Sequence, residues 1–244
     1  MGIERFFTSA APAGDRLTLS KEESHHLRRV RRLQPGDAVV LFDGSGTDYV
    51  GRIEAFDDAG ARIRIERTER PDRELAVRVT LAVALVKRSA MARLVDQCTQ
   101  LGMSRLAPVL SERSVVRPGG TKLDRWRRIA VEACKQCERS VVPEIAEPAP
   151  LDVVLSEVSR YDRAVIAAAR ADAVPLAAID LAPVGRLLCL IGPEGGFTGG
   201  EVEAASRAGC TPVSLGRSVL RTETAAAAAM AALAQMSEAQ GRRA

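Results

Sequence analysis

The first 70 residues consist of short apolar runs separated by turn residues. The segments AVVLF (38–42), TDYVGRIEAF (47–56) and ARIRIER (61–67) each predict a strand, and in the last one Ile63 and Ile65 fall on the same face. Gly, Pro and Asp occupy the connections, as turns require. Strands at this spacing predict a small β-barrel or meander.

One helix is predicted within this β region. Ser20 and Glu23 match a capping box, in which each side chain bonds the backbone N–H of the other. The segment HHLRRVRRL (25–33) then continues as a short helix.

The pattern changes after residue 70. Residues 66–75 are polar and contain Pro71, so we place a domain boundary there, between 1–70 and 71–244. Beyond it lie continuous apolar runs, which are typical of strands buried on both faces. These runs are VTLAVALV (79–86), LAPVL (106–110), AVIAAA (164–169), RLLCLIG (186–192) and PVSLG (212–216).

Helical patterns alternate with these strands. They are SAMARLVDQCTQLG (89–102), which Gly102 ends, TKLDRWRRIAVEACKQC (121–137), a helix opened by a second capping box at Thr198 and Glu201, and an Ala-rich helix from Thr224. Residues 141–150 predict a loop. Alternating strands and helices predict an α/β domain with a parallel sheet.

The composition shows a mild positive charge, and its cysteines indicate a reducing compartment. The net charge of +4 permits a polyanionic partner without requiring one, and the Arg-rich segments 28–32 and 125–128 also fit solvated helix faces. The cysteines Cys98, Cys134, Cys137, Cys189 and Cys210 are odd in number and mostly lie in apolar stretches. Cys134 and Cys137 form a CxxC without a second ligand pair, so we predict structural thiols and no metal.

The N-terminus carries no apolar region of the kind that opens a signal peptide. No apolar stretch reaches the 18 residues that a membrane-spanning helix needs. We therefore expect a cytoplasmic protein.

Two loops are candidates for chemistry: GPEGGF (192–197) and GRSVLRTETA (216–225). Each follows a predicted strand, and the carboxyl ends of parallel strands are where open α/β sheets bind ligands. Neither loop has the glycine spacing of a phosphate site, and Glu194 would repel a phosphate. A ligand with a cationic centre or hydrogen-bond donors suits Glu194 better.

The second loop places an arginine beside an acid. Arg221 is able to orient a carbonyl or phosphate, and Glu223 is able to accept a proton. The alternative is structural: Thr222 caps the last helix and Glu223 stabilises its N-terminus.

The segments LIGPEGGFT (190–198) and LGRSVLRTETA (215–225) together resemble the paired motifs of the SPOUT class of knotted methyltransferases. More narrowly, the chain resembles the RsmE family, which methylates N3 of a uridine in 16S rRNA. The likeness extends to HHLRRVRRLQPGD, LFDGSG, SERSVV and EACKQCERSVVPEI. Ala92, Gln97 and Gln100 depart from the family, because charged residues are common at their positions.

The resemblance implies a C-terminal SPOUT domain with a trefoil knot, a small N-terminal PUA-like β-barrel, a homodimer, and S-adenosylmethionine as methyl donor. We predict that the cofactor contacts thirteen residues of the two loops. They are Leu190, Ile191, Gly192, Pro193, Glu194, Gly195, Gly196, Leu215, Gly216, Val219, Leu220, Thr222 and Thr224.

Uracil N3 is protonated at neutral pH, so methylation requires that its anion be stabilised. We assign that stabilisation, or a grip on a nearby phosphate, to Arg221, and acceptance of the N3 proton to Glu223. An RNA partner makes several arginines candidate phosphate contacts. They are Arg28, Arg29, Arg31, Arg32, Arg113 and Arg139.

Three other interpretations remain open at this point. One is a SPOUT enzyme that modifies another RNA base or a tRNA, and another is a non-catalytic RNA-binding protein of ribosome assembly. A Rossmann nucleotide enzyme is disfavoured, because both phosphate fingerprints are missing.

Overall fold

The computed structural model describes residues 3–114, 122–168, 172–182 and 184–241. The chain divides into two compact units. The first comprises Met1–Glu74 and Val131–Val142, and the second Leu75–Ala130 and Pro143–Ala244. The predicted ranges 1–70 and 71–244 are contiguous, whereas the first unit also takes in a segment from much later in the chain.

The first unit is built on a five-stranded sheet in the order β1-β3-β4-β5-β2. Its strands are β1 (Glu4–Phe7), β2 (Arg16–Thr18), β3 (Ala38–Phe42), β4 (Asp48–Asp57) and β5 (Gly60–Glu69). The pair β1–β3 is parallel and the other pairs are antiparallel. The three strands predicted here are confirmed as β3, β4 and β5. Ile63 is fully buried in the core of this unit and Ile65 packs against that core, as the alternation predicted.

The predicted helix over 25–33 is confirmed in part: the helical stretch begins earlier, at Lys21, and ends at Val30, so residues 31–33 are not helical. Helix α1 covers only Lys21–His25, and a π-helical turn follows over His26–Val30. The capping box is half present, because the Ser20 hydroxyl accepts the Glu23 N–H at 3.2 Å. The Glu23 carboxylate forms an ion pair with Lys135, from the late segment of the same unit, instead of returning to the helix start.

The second unit contains an eight-stranded parallel sheet. Seven strands follow the order β11-β13-β10-β12-β6-β7-β8, and β9 pairs with β7. The strands are β6 (Arg78–Ala84), β7 (Arg105–Leu110), β8 (Glu144–Ile145), β9 (Ala149–Pro150), β10 (Arg163–Ala167), β11 (Val174–Pro175), β12 (Arg186–Ile191) and β13 (Thr211–Ser214). All five strands predicted for this part are confirmed. The predicted loop 141–150 also contains β8 and β9, which are too short to show a period.

Helices alternate with these strands along the chain, as the pattern predicted, although the second half of α3 belongs to the first unit. They are α2 (Arg88–Gln100), α3 (Lys122–Cys137), α4 (Leu151–Ser156), α5 (Gly199–Arg207) and α6 (Thr222–Gly241). Helix α5 begins with the complete capping box of Thr198 and Glu201. Helix α6 begins at Thr222, two residues before the predicted start. Helix α4 was not predicted.

Gly102 ends α2 as predicted. Its φ of +91° lies in the left-handed region that favours glycine. The N–H of Met103 bonds the carbonyl of Cys98 and the N–H of Gly102 bonds that of Thr99, which together form a Schellman motif. The chain is thereby turned directly into β7.

The thiols are buried, as predicted, except for the half-buried Cys137. Burial raises the pKa of Cys134 and of Cys189 to about 12 and that of Cys210 to about 11. Among the described residues, none of the helices is long and apolar enough to cross a membrane. The last two residues of SERSVV, together with Thr121 and Ala169 of predicted elements, lie outside the described residues.

Candidate functional site

A pocket opens at the carboxyl ends of three neighbouring strands, β10, β12 and β13. Both candidate loops line it, so the sequence-based placement at strand ends is correct. The predicted ligand-binding residues that line it are Ile191, Gly192, Pro193, Glu194, Gly196, Leu215, Gly216, Val219, Leu220 and Thr222.

Three predicted residues do not line the pocket. Leu190 is fully buried in the core of the second unit, so its side chain supports the sheet. Gly195 directs its carbonyl to Arg113, whose Nη1 donates a 2.7 Å hydrogen bond. Thr224 is exposed on the first turn of α6.

Sequence reasoning missed part of the lining. The additional residues are Ala167, Ala168, Val213, Ser214, Ser218 and Ala225. Ala167 ends β10 and Ala168 follows it, and both belong to the apolar run AVIAAA that the sequence had already identified as a strand. Since all carboxyl ends of a parallel sheet meet at one edge, that strand end was the available signal.

The glycines of the pocket have different roles. Gly196 (φ +67°) and Gly216 (φ +127°) adopt left-handed conformations, and a Cβ on either would meet nothing within 4 Å. Their backbone therefore faces open space. Gly192 differs, because a Cβ there would lie 3.0 Å from the backbone nitrogen of Phe197. It is needed for the loop to fold against itself.

Thr222 connects the two loops. Its hydroxyl donates a buried 3.0 Å hydrogen bond to the carbonyl of Gly192. The first helical bond of α6 runs from the Ala225 N–H to the Arg221 carbonyl at 2.8 Å, so Arg221 occupies the N-cap position. Thr222 therefore does not cap the helix with its side chain, but the other half of the structural alternative holds, because Glu223 lies in the first turn of α6 and its carboxylate accepts its own backbone N–H.

Glu223 is buried beside the pocket without lining it. Arg93 of α2 donates to it, with 2.7 Å between Nη2 and Oε1. This hydrogen bond, followed by one from its own backbone N–H, lowers the pKa of Glu223, and the charges of Arg93 and Arg221 act in the same direction. Arg221 is exposed and does not line the pocket either.

The predicted RNA-contacting arginines fall into two groups. Those of the π-helical turn and of the two residues after it are exposed: the Arg28 guanidinium lies 5.3 Å from the Phe56 ring centre, and Arg31 pairs with Glu4 at 3.1 Å. Arg29 and Arg32 are also exposed.

The other two arginines are engaged within the protein. Arg139 is 3% exposed and binds both carboxylate oxygens of Glu74, which argues against a contact with RNA. Arg113 remains exposed but donates to the Gly195 carbonyl.

Glu194 is the one charged side chain among the described residues that line the pocket. The remaining lining is aliphatic, hydroxyl-bearing or glycine. A polyphosphate would meet no cation there, so the pocket suits a ligand with a positive centre that is otherwise held by backbone groups.

Comparison with known proteins agrees with this chemistry. Residues 73–234 match the family described as RNA methyltransferase domain, and residues 19–66 match the RNA methyltransferase PUA domain. A ribosomal RNA small subunit methyltransferase E from Synechocystis is 36% identical over 88% of this chain and 71% of its own length. The Bacillus subtilis protein of the same name is 28% identical over 91% of this chain and 90% of its own length.

Solved structures show the same fold. The ribosomal RNA small subunit methyltransferase E from Neisseria gonorrhoeae, bound to S-adenosylmethionine, superposes with a TM-score of 0.89 at 30% identity, over 96% of this chain and 98% of that one. A methyltransferase from Legionella pneumophila with the same cofactor gives 0.85 at 29% identity, over 96% and 97%. The predicted α/β fold of the SPOUT class with a PUA-like N-terminal domain is confirmed, and the trefoil knot stays a prediction.

Proposed function

Because this chain belongs to the RNA methyltransferase family that includes the small subunit methyltransferases E, we propose that it methylates N3 of a uridine in 16S rRNA. The methyl donor is S-adenosylmethionine, which supplies a methyl group on a positively charged sulfonium. The proposal rests on the pocket, because Glu194 is the one charged side chain among the described residues that line it and would attract a positively charged sulfonium.

The pocket residues fit this donor. No Cβ covers the backbone at Gly196 and Gly216, so their carbonyl oxygens can accept hydrogen bonds from polar parts of the ligand, and Val219 and Leu220 offer apolar contacts. The N–H groups of the two glycines already donate to the Pro193 carbonyl and to Ser214 Oγ. The Glu194 carboxylate attracts the positively charged sulfonium. Two relatives of the same fold hold S-adenosylmethionine, which supports the assignment.

Arg221 and Glu223 act on the target base. Arg221 is exposed next to the pocket, where its guanidinium donates to uracil O2 or O4 and stabilises the N3 anion, or grips a neighbouring phosphate. The lowered pKa keeps Glu223 ionised at neutral pH, as a proton acceptor must be, but makes it a weak base. We therefore propose that the N3 proton passes to the Glu223 carboxylate while the Arg221 guanidinium, which stays protonated, stabilises the anion left on the base.

The π-helical turn over His26–Val30, together with Arg31 and Arg32, contacts the RNA backbone.

A second copy of the chain completes the enzyme as a homodimer. Val219 is 88% exposed beside the pocket, and we propose that the second copy covers it. A ribosomal substrate places the protein in the cytoplasm.

The test is transfer of a radiolabelled methyl group from S-adenosylmethionine to small subunits that lack modifications, followed by mapping of the labelled base. We expect label on a uridine N3 and a loss of turnover of about 10²–10³-fold in Arg221→Ala at saturating cofactor. Arg217→Ala, an exposed arginine of the same loop, is the matched control and should keep its turnover.

Other outcomes select the alternatives. Label on tRNA or on another base identifies a SPOUT enzyme with a different target, and RNA binding without label identifies a non-catalytic assembly protein. Unchanged turnover in Arg221→Ala removes the catalytic role of that residue.

A further inference from the structure

The segment after β7 forms a closed turn over residues 111–114. The Ser111 N–H donates to Ser114 Oγ at 3.1 Å, the Ser114 N–H donates to the Ser111 carbonyl at 3.0 Å, and the two hydroxyls lie 2.8 Å apart. Glu112 and Arg113 stand at the tip of this turn. The bonds between Ser111 and Ser114 thereby fix the backbone from which both tip side chains project.

Both tip residues bind the loop Gly192–Thr198. Arg113 donates to the Gly195 carbonyl at 2.7 Å, and a Cβ on Gly195 would lie 3.4 Å from Arg113 Cδ, so the arm of the side chain runs along this glycine. Thr198 Oγ1 donates to Glu112 Oε2 at 3.3 Å.

The turn is also joined to the start of α5. Glu201 uses both carboxylate oxygens: Oε2 accepts the Thr198 N–H at 2.7 Å in the capping box, and Oε1 accepts the Glu112 N–H at 2.8 Å. The helix start is thereby fixed to the same turn that holds Gly195.

The two sides of the loop consequently have different tasks. Pro193, Glu194 and Gly196 face the pocket, whereas the Gly195 carbonyl and the Thr198 side chain point to the turn. A loop with several glycines loses much conformational freedom when it becomes ordered. If contacts on the outer side of the loop already order it in the free protein, less conformational freedom remains to be lost when the ligand binds.

We infer that Arg113 is a positioning residue that holds the cofactor loop through the Gly195 carbonyl, and is not a phosphate contact. This inference rests on the proposed function for the identity of the ligand. Arg113 touches neither the reacting atoms nor the pocket, so it acts through the loop.

The test compares Arg113→Ala, Arg113→Lys and wild type in two measurements. The first is amide hydrogen exchange of residues 194–198 in the free protein, and the second is calorimetric affinity for S-adenosylmethionine without RNA. The control is Arg160→Ala, which removes an exposed arginine paired with Glu157, away from the loop.

In Arg113→Ala we expect faster loop exchange and a Kd for S-adenosylmethionine raised about fivefold to tenfold, since a charged hydrogen bond at an exposed site is lost. Arg113→Lys keeps a charged donor and should recover part of the affinity. Arg160→Ala should change neither measurement. A third measurement, the salt dependence of RNA binding, should give the same slope for Arg113→Ala as for wild type.

Several results would overturn the inference. One is unchanged loop exchange, another is faster exchange with an unchanged Kd, and a third is a weaker salt dependence of RNA binding with unchanged cofactor affinity, which identifies a phosphate contact. If the wild type does not bind S-adenosylmethionine, the proposed function fails, whereas the exchange experiment still decides whether Arg113 holds the loop.

Discussion

A single hydroxyl joins the two halves of the pocket. Thr222 donates to the Gly192 carbonyl, and both groups are buried, so this bond fixes the distance between the loop after β12 and the start of α6. A buried carbonyl that loses its donor destabilises the folded state, because water does not replace the lost hydrogen bond. Thr222 therefore serves both the stability of the second unit and the shape of the pocket.

We expect Thr222→Val to lower the free energy of unfolding by about 1–3 kcal/mol, because it leaves the Gly192 carbonyl unsatisfied at nearly constant volume. Cofactor affinity should fall as well. Thr222→Ser retains the hydroxyl and is the control. Urea unfolding and calorimetric titration measure the two effects, and equal stability of the Val and Ser variants would contradict the importance of the bond.

The ion pair of Glu223 with Arg93 predicts a specific dependence of stability on pH. The pKa of Glu223 is lowered from its ordinary value of 4.5, mainly by the Arg93 hydrogen bond. The unfolded chain thus binds the proton more readily than the folded one. The stability that the pair contributes is complete above the ordinary pKa and is lost as pH falls through the lowered value.

Arg93→Ala should accordingly destabilise the protein at neutral pH and differ less and less from wild type as the pH falls below 4.5, the ordinary pKa of Glu223. Urea unfolding of both proteins at neutral pH and at about pH 3.5 provides the comparison. Arg160→Ala, whose partner Glu157 is exposed, should show little difference at either pH. The same deficit for Arg93→Ala at both pH values would mean that the pair does not shift the pKa.

At the scale of elements, the arginines of the first unit divide by location. On the strands and their ends, arginines are matched by acids in the pairs Arg16–Glu54, Arg52–Glu66, Arg62–Asp57 and Arg64–Asp15. The π-helical turn and the two residues after it carry four arginines, of which Arg31 pairs with Glu4. An unbalanced positive segment attracts polyanions, whereas a balanced face does not.

This difference predicts where RNA affinity resides. The double substitution Arg29→Ala and Arg32→Ala should weaken RNA binding and reduce the slope of log K against log salt by about 1.4–1.8, since each lost phosphate contact removes roughly 0.7–0.9. Arg52→Ala with Arg64→Ala is the matched control on the balanced face. Filter binding across a salt series separates them, and equal slopes for both variants would refute the assignment.

For the whole molecule, the division into two units separates the proposed tasks. Every described residue that lines the pocket belongs to the second unit, and the exposed arginines of the π-helical turn belong to the first. A ligand stabilises only the state that binds it, by RT ln(1 + [L]/Kd). Cofactor binding is therefore expected to act on the second unit.

With S-adenosylmethionine at 100 times its Kd, amides of β12 that exchange by unfolding should gain about 2.7 kcal/mol of protection, or roughly 100-fold slower exchange. Amides of β3 in the first unit should be unaffected. Amide hydrogen exchange with and without cofactor gives both values. Equal protection of β3 would show that the two units unfold together.

Much of the fold was predictable, because local chemistry specifies it. Continuous apolar runs identified the long strands of the second unit, and Gly102 and the capping box at Thr198 identified helix ends, since each depends on neighbours within a few residues. The two pocket loops were found in the same way, from glycines that directly follow apolar strands.

Tertiary structure decided the roles of individual charged side chains. Glu223 meets Arg93 across 130 positions, Arg113 meets Gly195 across 82, and Arg139 meets Glu74 across 65. The Glu23 carboxylate, which the capping box assigned to the helix start, pairs instead with Lys135, 112 positions away. The sequence alone determined which elements form and where the pocket lies, because both follow from periodicity and backbone preference. Only the folded chain decided which charges neutralise one another, because that depends on distances between segments that no local pattern encodes.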